Sequence, residues 1–237
     1  MRLDKYLVST GKFTRSEASR LAKSGRITVN SVTVKDSSLH IDENADRVFF
    51  DGEEIIYKKF VYVMLNKPAG YISATDDEKL KTVLELLPAD LKKRGLFPCG
   101  RLDIDTEGLL ILTDDGMAAH RLISPKHHAE KTYFFRCRNP ITPRDKERLE
   151  GGVTLDDGYI TLPCRVFDTD NEKLCGKITV TEGKFHQIKR MLEAVGNRVL
   201  YLERISFGNI PLDRTLARGE WRYLTNDEEV LLLTERK

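Results

Sequence analysis

The stretch from Gly100 to Gly116, GRLDIDTEGLLILTDDG, constrains the fold of this chain more than any other. An acidic loop (Asp103, Asp105, Glu107) passes through Gly108 into the apolar run Leu109 to Leu112, and Thr113 to Gly116 reads as a turn. A short apolar run bounded by turn signals is the pattern of a buried strand. The loop is therefore held against the end of a buried element, where a carboxylate can be partly desolvated and made reactive.

Two familiar acidic motifs fit this loop poorly. Asp103, Asp105, Glu107 and Gly108 fall at the spacing of calcium-loop positions one, three, five and six, but Ile111 and Asp114 stand at positions nine and twelve, where a bidentate Glu is wanted at twelve. Gly95, Pro98 and Gly100 also break the helix that would have to enter such a loop. An aspartate phosphatase of the DxDx[TV] kind needs a hydrophobic strand leading into the first Asp and a Thr or Val at Glu107, and both are missing.

At 237 residues the chain can bury a real core as one large or two modest domains. No run of about 18 apolar residues exists to cross a membrane. The opening MRLDKYLVSTGK lacks an apolar signal core, and the four cysteines have no CxxC spacing, so a reducing, cytoplasmic setting is expected with no zinc site or disulfide framework.

The formal charge of +2 is bland, but its distribution is not. The first 35 residues carry eight basic side chains and two acidic ones. Leu3, Tyr6 and Leu7 at helical spacing predict a first helix. A second opens at Thr14, with Glu17 completing a capping box, and turns Ala18, Leu21 and Ala22 inward. Arg15, Arg20, Lys23 and Arg26 are left for solvent or phosphate. Ile27/Val29 and Val32/Val34 around Asn30-Ser31 then predict a hairpin. From Asp36 to Glu54, seven acidic residues face only Arg47, so this stretch is expected to lie away from any bound phosphate. A boundary near Lys58 and Lys59 divides the chain into domains 1–58 and 59–237.

In the second domain Val61 to Leu65 predicts a strand ending in Lys67-Pro68-Ala69-Gly70. Residues 76–95 read as helical, with Val83, Leu84 and Leu87 inward. Met117 to Ile123 fits a short helix and Tyr133 to Arg138 a strand. Thr142-Pro143 opens another helix, and Gly152 to Pro163 reads as a hairpin around Asp157-Gly158. A strand from Lys177 to Thr181 runs into a helix from about Phe185 to Val195, with Ile188, Met191, Leu192 and Val195 on one face. Trp221 reads as core, and Thr225 with Glu228 caps a last helix.

The helix, basic helix and hairpin of the first domain resemble the small alpha-L RNA-binding domain of one small-subunit ribosomal protein and several RNA-modifying enzymes. GRLDIDTEGLLILT resembles the catalytic signature of the RsuA-like pseudouridine synthases, G-R-L-D-x-x-[ST]-x-G-L-[LI]-[LI]-[LM]-T. KPAG at residues 67–70, Lys131-Thr132-Tyr133 and EGKFHQIKRM at residues 182–191 match that family's K-P-x-G, K-x-Y and E-G-[KR]-x-[HR]-Q-[IV]-[KR]-R-M motifs in the same order.

The resemblance implies an α+β protein with an RNA-binding domain ahead of a larger catalytic domain built on a mostly antiparallel mixed sheet. It implies isomerisation of uridine to pseudouridine in ribosomal RNA without a cofactor or metal. Asp103 would be the nucleophile, Tyr133 the wall on which the target base stacks, and Lys189 the cation paired with Asp103, with Arg190 the close second. The base would have to be flipped out of its helix. Arg101, Lys67, Arg190 and the basic face of Arg15, Arg20, Lys23 and Arg26 are candidate RNA contacts. Asp105 and Glu107 read as structural, and His186 as a structural histidine. The segment at 152–163 resembles the RsuA subgroup, which points to 16S RNA in a partly assembled small subunit, bound by a monomer. A 23S RNA synthase and a non-catalytic assembly factor are the alternatives.

Overall fold

The computed structural model describes residues 1–124 and 129–234. It divides into two compact units, one of Met1–Val61 with Leu87–Leu96 and the other of Tyr62–Leu86 with Phe97–Lys237.

The first unit opens with α1 (Leu3–Ser9) and α2 (Arg15–Lys23). Thr14 caps α2 as its sequence predicts: its hydroxyl accepts from the Glu17 amide at 3.3 Å, and the Glu17 carboxylate accepts from the Thr14 amide at 2.7 Å. Four short strands follow, β1 (Ile27–Val29), β2 (Val32–Thr33), β3 (Val48–Phe50) and β4 (Glu53–Ile55), in the antiparallel order β2-β1-β3-β4. Asn30 and Ser31 both take positive φ, the geometry of a two-residue hairpin turn that suits strand twist. Leu3, Tyr6, Leu7, Leu21, Ile27 and Val48 close a core, in which the Tyr6 hydroxyl donates to the Ile55 carbonyl at 2.7 Å. Arg15, Arg20 and Lys23 stand exposed on α2, opposite buried Ala18, Leu21 and Ala22. Arg26 is also exposed, but it pairs with Asp51 and lies 4.7 Å over the Phe50 ring. The short helix α3 (Ala89–Lys93) belongs to this unit.

The second unit is a nine-stranded sheet. Its strands are β5 (Tyr62–Lys67), β6 (Phe97–Pro98), β7 (Glu107–Thr113), β8 (Lys131–Cys137), β9 (Arg165–Asp170), β10 (Cys175–Val180), β11 (Val199–Phe207), β12 (Ile210–Pro211) and β13 (Trp221–Tyr223). The order is β13-β5-β7-β11-β8-β10-β9, with β6 added to β7 and β12 to β11. Among the named strands only β7 and β11 pair in parallel. Strand β7 lies between β5 and β11, so Leu109 to Leu112 are all buried, as the continuous apolar run demands. Around the sheet lie α4 (Gly116–Ile123), α5 (Pro143–Gly151), α6 (Gln187–Ala194) and α7 (Asn226–Leu233). Capping boxes open α5 and α7, and Asp115 caps α4 by accepting from the Met117 and Ala118 amides at 3.0 Å each.

Three sequence expectations are corrected. Residues 76–95 form no single helix: a 3-10 turn spans Val83–Leu86, and Pro88, extended at ψ 162°, interrupts the chain before α3. Helix α6 begins at Gln187 because His186 is left-handed, at φ 49° and ψ 31°. Trp221 is half-buried on β13 against Tyr223, where one face of an edge strand remains open.

Candidate active site

Strand β7 emerges from the acidic loop, and the loop is fastened from below by β5. Lys67, the last residue of β5, is 0 % exposed. Its ammonium donates to the carbonyls of Pro68 at 3.1 Å, Asp103 at 3.1 Å, Ile104 at 3.3 Å and Thr106 at 2.8 Å. A buried charge is tolerable when hydrogen bonds replace its water, and these four carbonyls do so. Burial pushes the Lys67 ammonium down to about 8, while Asp105, Asp103 and Glu107 pull it the other way. Lys67 therefore shapes the loop from beneath and does not reach the RNA-facing surface expected for it.

The rest of the KPAG turn and its neighbours hold the loop from the side. The Gly70 amide donates to the Ile104 carbonyl at 2.8 Å. The Ser73 hydroxyl accepts from the Leu102 amide at 3.0 Å and donates to the Leu102 carbonyl at 3.1 Å. Asp103 thus sits on backbone fixed on both sides.

Helix α6 supplies the cation. The Lys189 ammonium stands 3.0 Å from Oδ2 of Asp103 and 2.5 Å from Oδ1 of Asp105. Burial draws this ammonium down, but its bonds to Asp105 and Asp103 outweigh that and leave it raised. Burial raises the Asp105 carboxyl, and Lys189 more than reverses this. Because an ammonium occupies the space between the first and third acidic positions, a calcium ion has no seat there, and no cluster of metal-ligating side chains forms among the described residues.

Arg190, the neighbouring cation, turns away from Asp103. It pairs with Asp156 and Asp157 of the hairpin at 152–163. Glu107 instead accepts from the Tyr201 hydroxyl at 2.9 Å and pairs with Arg218 at 2.9 Å. Arg218 continues to Glu203 at 2.8 Å. The sequence carried no signal for this Tyr201–Glu107–Arg218–Glu203 network, whose members lie up to about a hundred residues apart.

Above Asp103 opens a small cleft. Leu102, Val180, Ile188 and Leu202 give it apolar walls, and Tyr133 on β8, only 8 % exposed, forms part of its lining. Arg101 is exposed at its edge and has no ion pair among the described residues. His186 also lines it, half-exposed, with Nε2 3.8 Å from Oδ1 of Asp103, so it is a cleft residue and not the structural histidine expected. A cleft with apolar side chains in its walls, an anion at its base and a buried tyrosine in its lining suits a base presented out of a nucleic-acid helix.

Residues 61–194 match the RNA pseudouridylate synthase family, and residues 1–46 match the S4 domain. The chain is 44% identical to an uncharacterized RNA pseudouridine synthase of Bacillus subtilis, over 99% of both chains. It is 39% identical to ribosomal small subunit pseudouridine synthase A of Escherichia coli, covering 96% of this chain and 98% of that one. A solved pseudouridylate synthase superposes with a TM-score of 0.69 at 35% identity, covering 98% of this chain and 99% of that one. No helix among the described residues is long and apolar enough to cross a membrane.

Proposed function

The chain belongs to the RNA pseudouridylate synthase family, and from that premise we propose that it converts one uridine of 16S ribosomal RNA to pseudouridine, as a cytoplasmic monomer acting on a partly assembled small subunit. The choice of 16S RNA rests on the relatives named as small-subunit enzymes, which match almost end to end.

The single observation that carries the catalytic reading is the Asp103–Lys189 pair at 3.0 Å beneath a slot that Tyr133 helps to wall. Asp103 supplies the carboxylate that acts on the nucleotide, and Lys189, paired with it at 3.0 Å, aims it. The C1′–N1 glycosidic bond breaks, the uracil turns over against Tyr133, and C1′ is joined to C5. The proton lost from C5 is balanced by the one gained at N1, so no redox partner is consumed. Lys67 is a positioning residue for the loop. Arg101 takes the phosphate or the space vacated by the flipped nucleotide. Arg15, Arg20 and Lys23 contribute phosphate contacts that orient the RNA without choosing the base.

The test is pseudouridine mapping by carbodiimide labelling and primer extension on 16S and 23S RNA, naked and in partly assembled subunits, with wild type and Asp103→Asn. One new stop on 16S RNA, absent with the variant, is expected. A stop on 23S RNA would keep the chemistry and overturn the substrate. Silence on every RNA, with binding intact, would make the chain an assembly factor.

A further inference from the structure

Phe185 stands beside the cleft 70 % exposed, the most exposed aromatic side chain among the described residues whose large apolar groups face solvent. One face of its ring stacks on His186, with centroids 3.8 Å apart and planes 19° from parallel. His186 in turn lines the cleft beside Asp103. The left-handed backbone at His186 sets this stack just ahead of α6.

The loop that carries the stack is held firmly. The Gln187 side chain, buried, accepts from the Lys184 amide at 2.8 Å and donates to Glu182 at 2.6 Å. Glu182 also accepts from the Tyr159 hydroxyl at 2.6 Å and the Leu162 amide at 2.9 Å. Arg190 reaches the Phe185 carbonyl at 3.4 Å. An aromatic ring displayed on a fixed loop is prepaid in conformational entropy, which is what a binding platform needs. Two cations stand near it: Lys184 precedes it, lying 4.3 Å over the Tyr159 ring, and Arg101 is exposed at the same cleft. Exposed aromatics interleaved with cations are how proteins hold unpaired nucleotides, the ring taking a base and the cations the backbone.

We propose that Phe185, backed by His186, is a stacking platform for an unpaired base next to the flipped uridine, and so helps to set which RNA sequence or loop is accepted. The proposal rests on the pseudouridine synthase reading for the identity of the ligand as RNA. A stack kept from the bound state through the transition state acts on KM more than on kcat. Losing one base–aromatic stack weakens binding by roughly 5- to 150-fold.

The test measures KM and kcat of Phe185→Ala, Phe185→Leu and Phe185→Trp on whichever of 16S or 23S RNA the wild type modifies. Ultraviolet cross-linking of the full-length chain to both RNAs runs beside it, with the tryptic peptide Phe185–Lys189 sequenced for a nucleotide adduct on Phe185. KM should rise at least fivefold in the Ala and Leu variants, kcat should fall less than threefold, and Trp should restore KM to within threefold of wild type. A KM within twofold of wild type in Phe185→Ala overturns the proposal, as does a defect that Trp fails to repair. If the wild type modifies neither RNA, the functional reading fails separately, and the cross-link alone decides: an adduct on Phe185 upholds the platform and its absence removes it.

Discussion

The Lys189 ammonium lies 3.0 Å from Asp103 and 2.5 Å from Asp105, so one cation on α6 is shared between two carboxylates of a loop more than eighty residues earlier in the chain. Asp105 is therefore more than a prop for the loop. It is a second claimant on the charge that Asp103 depends on.

Lys189→Met leaves both carboxylates without their cation. Truncating one partner of a half-buried pair costs about 2–5 kcal/mol, so kcat/KM should fall roughly 30-fold or more. Lys189→Arg keeps the charge and should recover most of that loss. Asp105→Asn leaves the Asp103 contact in place and should cost less than roughly tenfold. Steady-state kinetics of the three variants check this order, and an Asp105→Asn defect as deep as that of Lys189→Met would reverse it.

Lys67 makes a prediction about pH. Burial holds its ammonium at about 8 in the folded chain, against an ordinary value of 10.5. Between those values the unfolded chain binds one proton more, so this group's contribution to stability rises with pH across that window. Below pH 8 both states are charged and the whole cost of burying the ammonium is felt. Relative to Lys67→Met, the wild type should gain roughly 1 kcal/mol per pH unit between pH 8 and 10. Lys131, also pushed down to about 8 by burial, titrates in both proteins and cancels. Urea unfolding at pH 7.5, 9 and 10 reads the difference, and a flat one would mean that the four carbonyls offset burial fully and leave the Lys67 ammonium at its ordinary value. The variant should also lose activity at every pH, because the loop carbonyls lose their shared donor.

Arg190 and Lys189 are adjacent in sequence, yet their variants should behave differently. Arg190 pairs with Asp156 and Asp157, both largely exposed, and a pair whose carboxylates stand in water contributes little. Arg190→Ala should therefore leave the melting temperature little changed and an activity far above that of Lys189→Met. Equal defects in the two would place Arg190 at the reacting carboxylate after all.

Much of this arrangement was legible because its motifs are local. The acidic loop, Gly108 and the apolar run are contiguous, and their order alone placed Asp103 at the end of a buried strand. The Asp103–Lys189 pair was expected from motif resemblance, since nothing in spacing links residues so far apart. Lys67 was misplaced because a lysine after an apolar strand reads equally as a surface cation or a buried one. The missed signal was that β5 extends two residues past its apolar run, and every residue of it is buried. His186 was missed because a left-handed residue ahead of a helix cannot be told in sequence from the helix's first turn. Arg190 was equally ambiguous: which of two adjacent cations faces the loop depends on helix phase, and that is fixed by where α6 begins.

Gly108 tests whether the loop's entry into β7 is as tightly built as its contacts suggest. At φ +97°, a Cβ there would lie 2.3 Å from the Arg204 carbonyl oxygen and 2.9 Å from its amide nitrogen. Those are backbone atoms of β11, the parallel partner of β7, and they cannot swing aside as a side chain could. Gly108→Ala should destabilise the chain by about 3–5 kcal/mol, combining backbone strain with overpacking. Gly158→Ala separates the two causes, because Gly158 has a similar φ of +82° but nothing within 4 Å of an added Cβ. It should cost only the conformational part, about 1 kcal/mol. Equal melting temperatures for the two variants would show that β11 yields at Gly108 and that the close strand contact does not hold Asp103 in place.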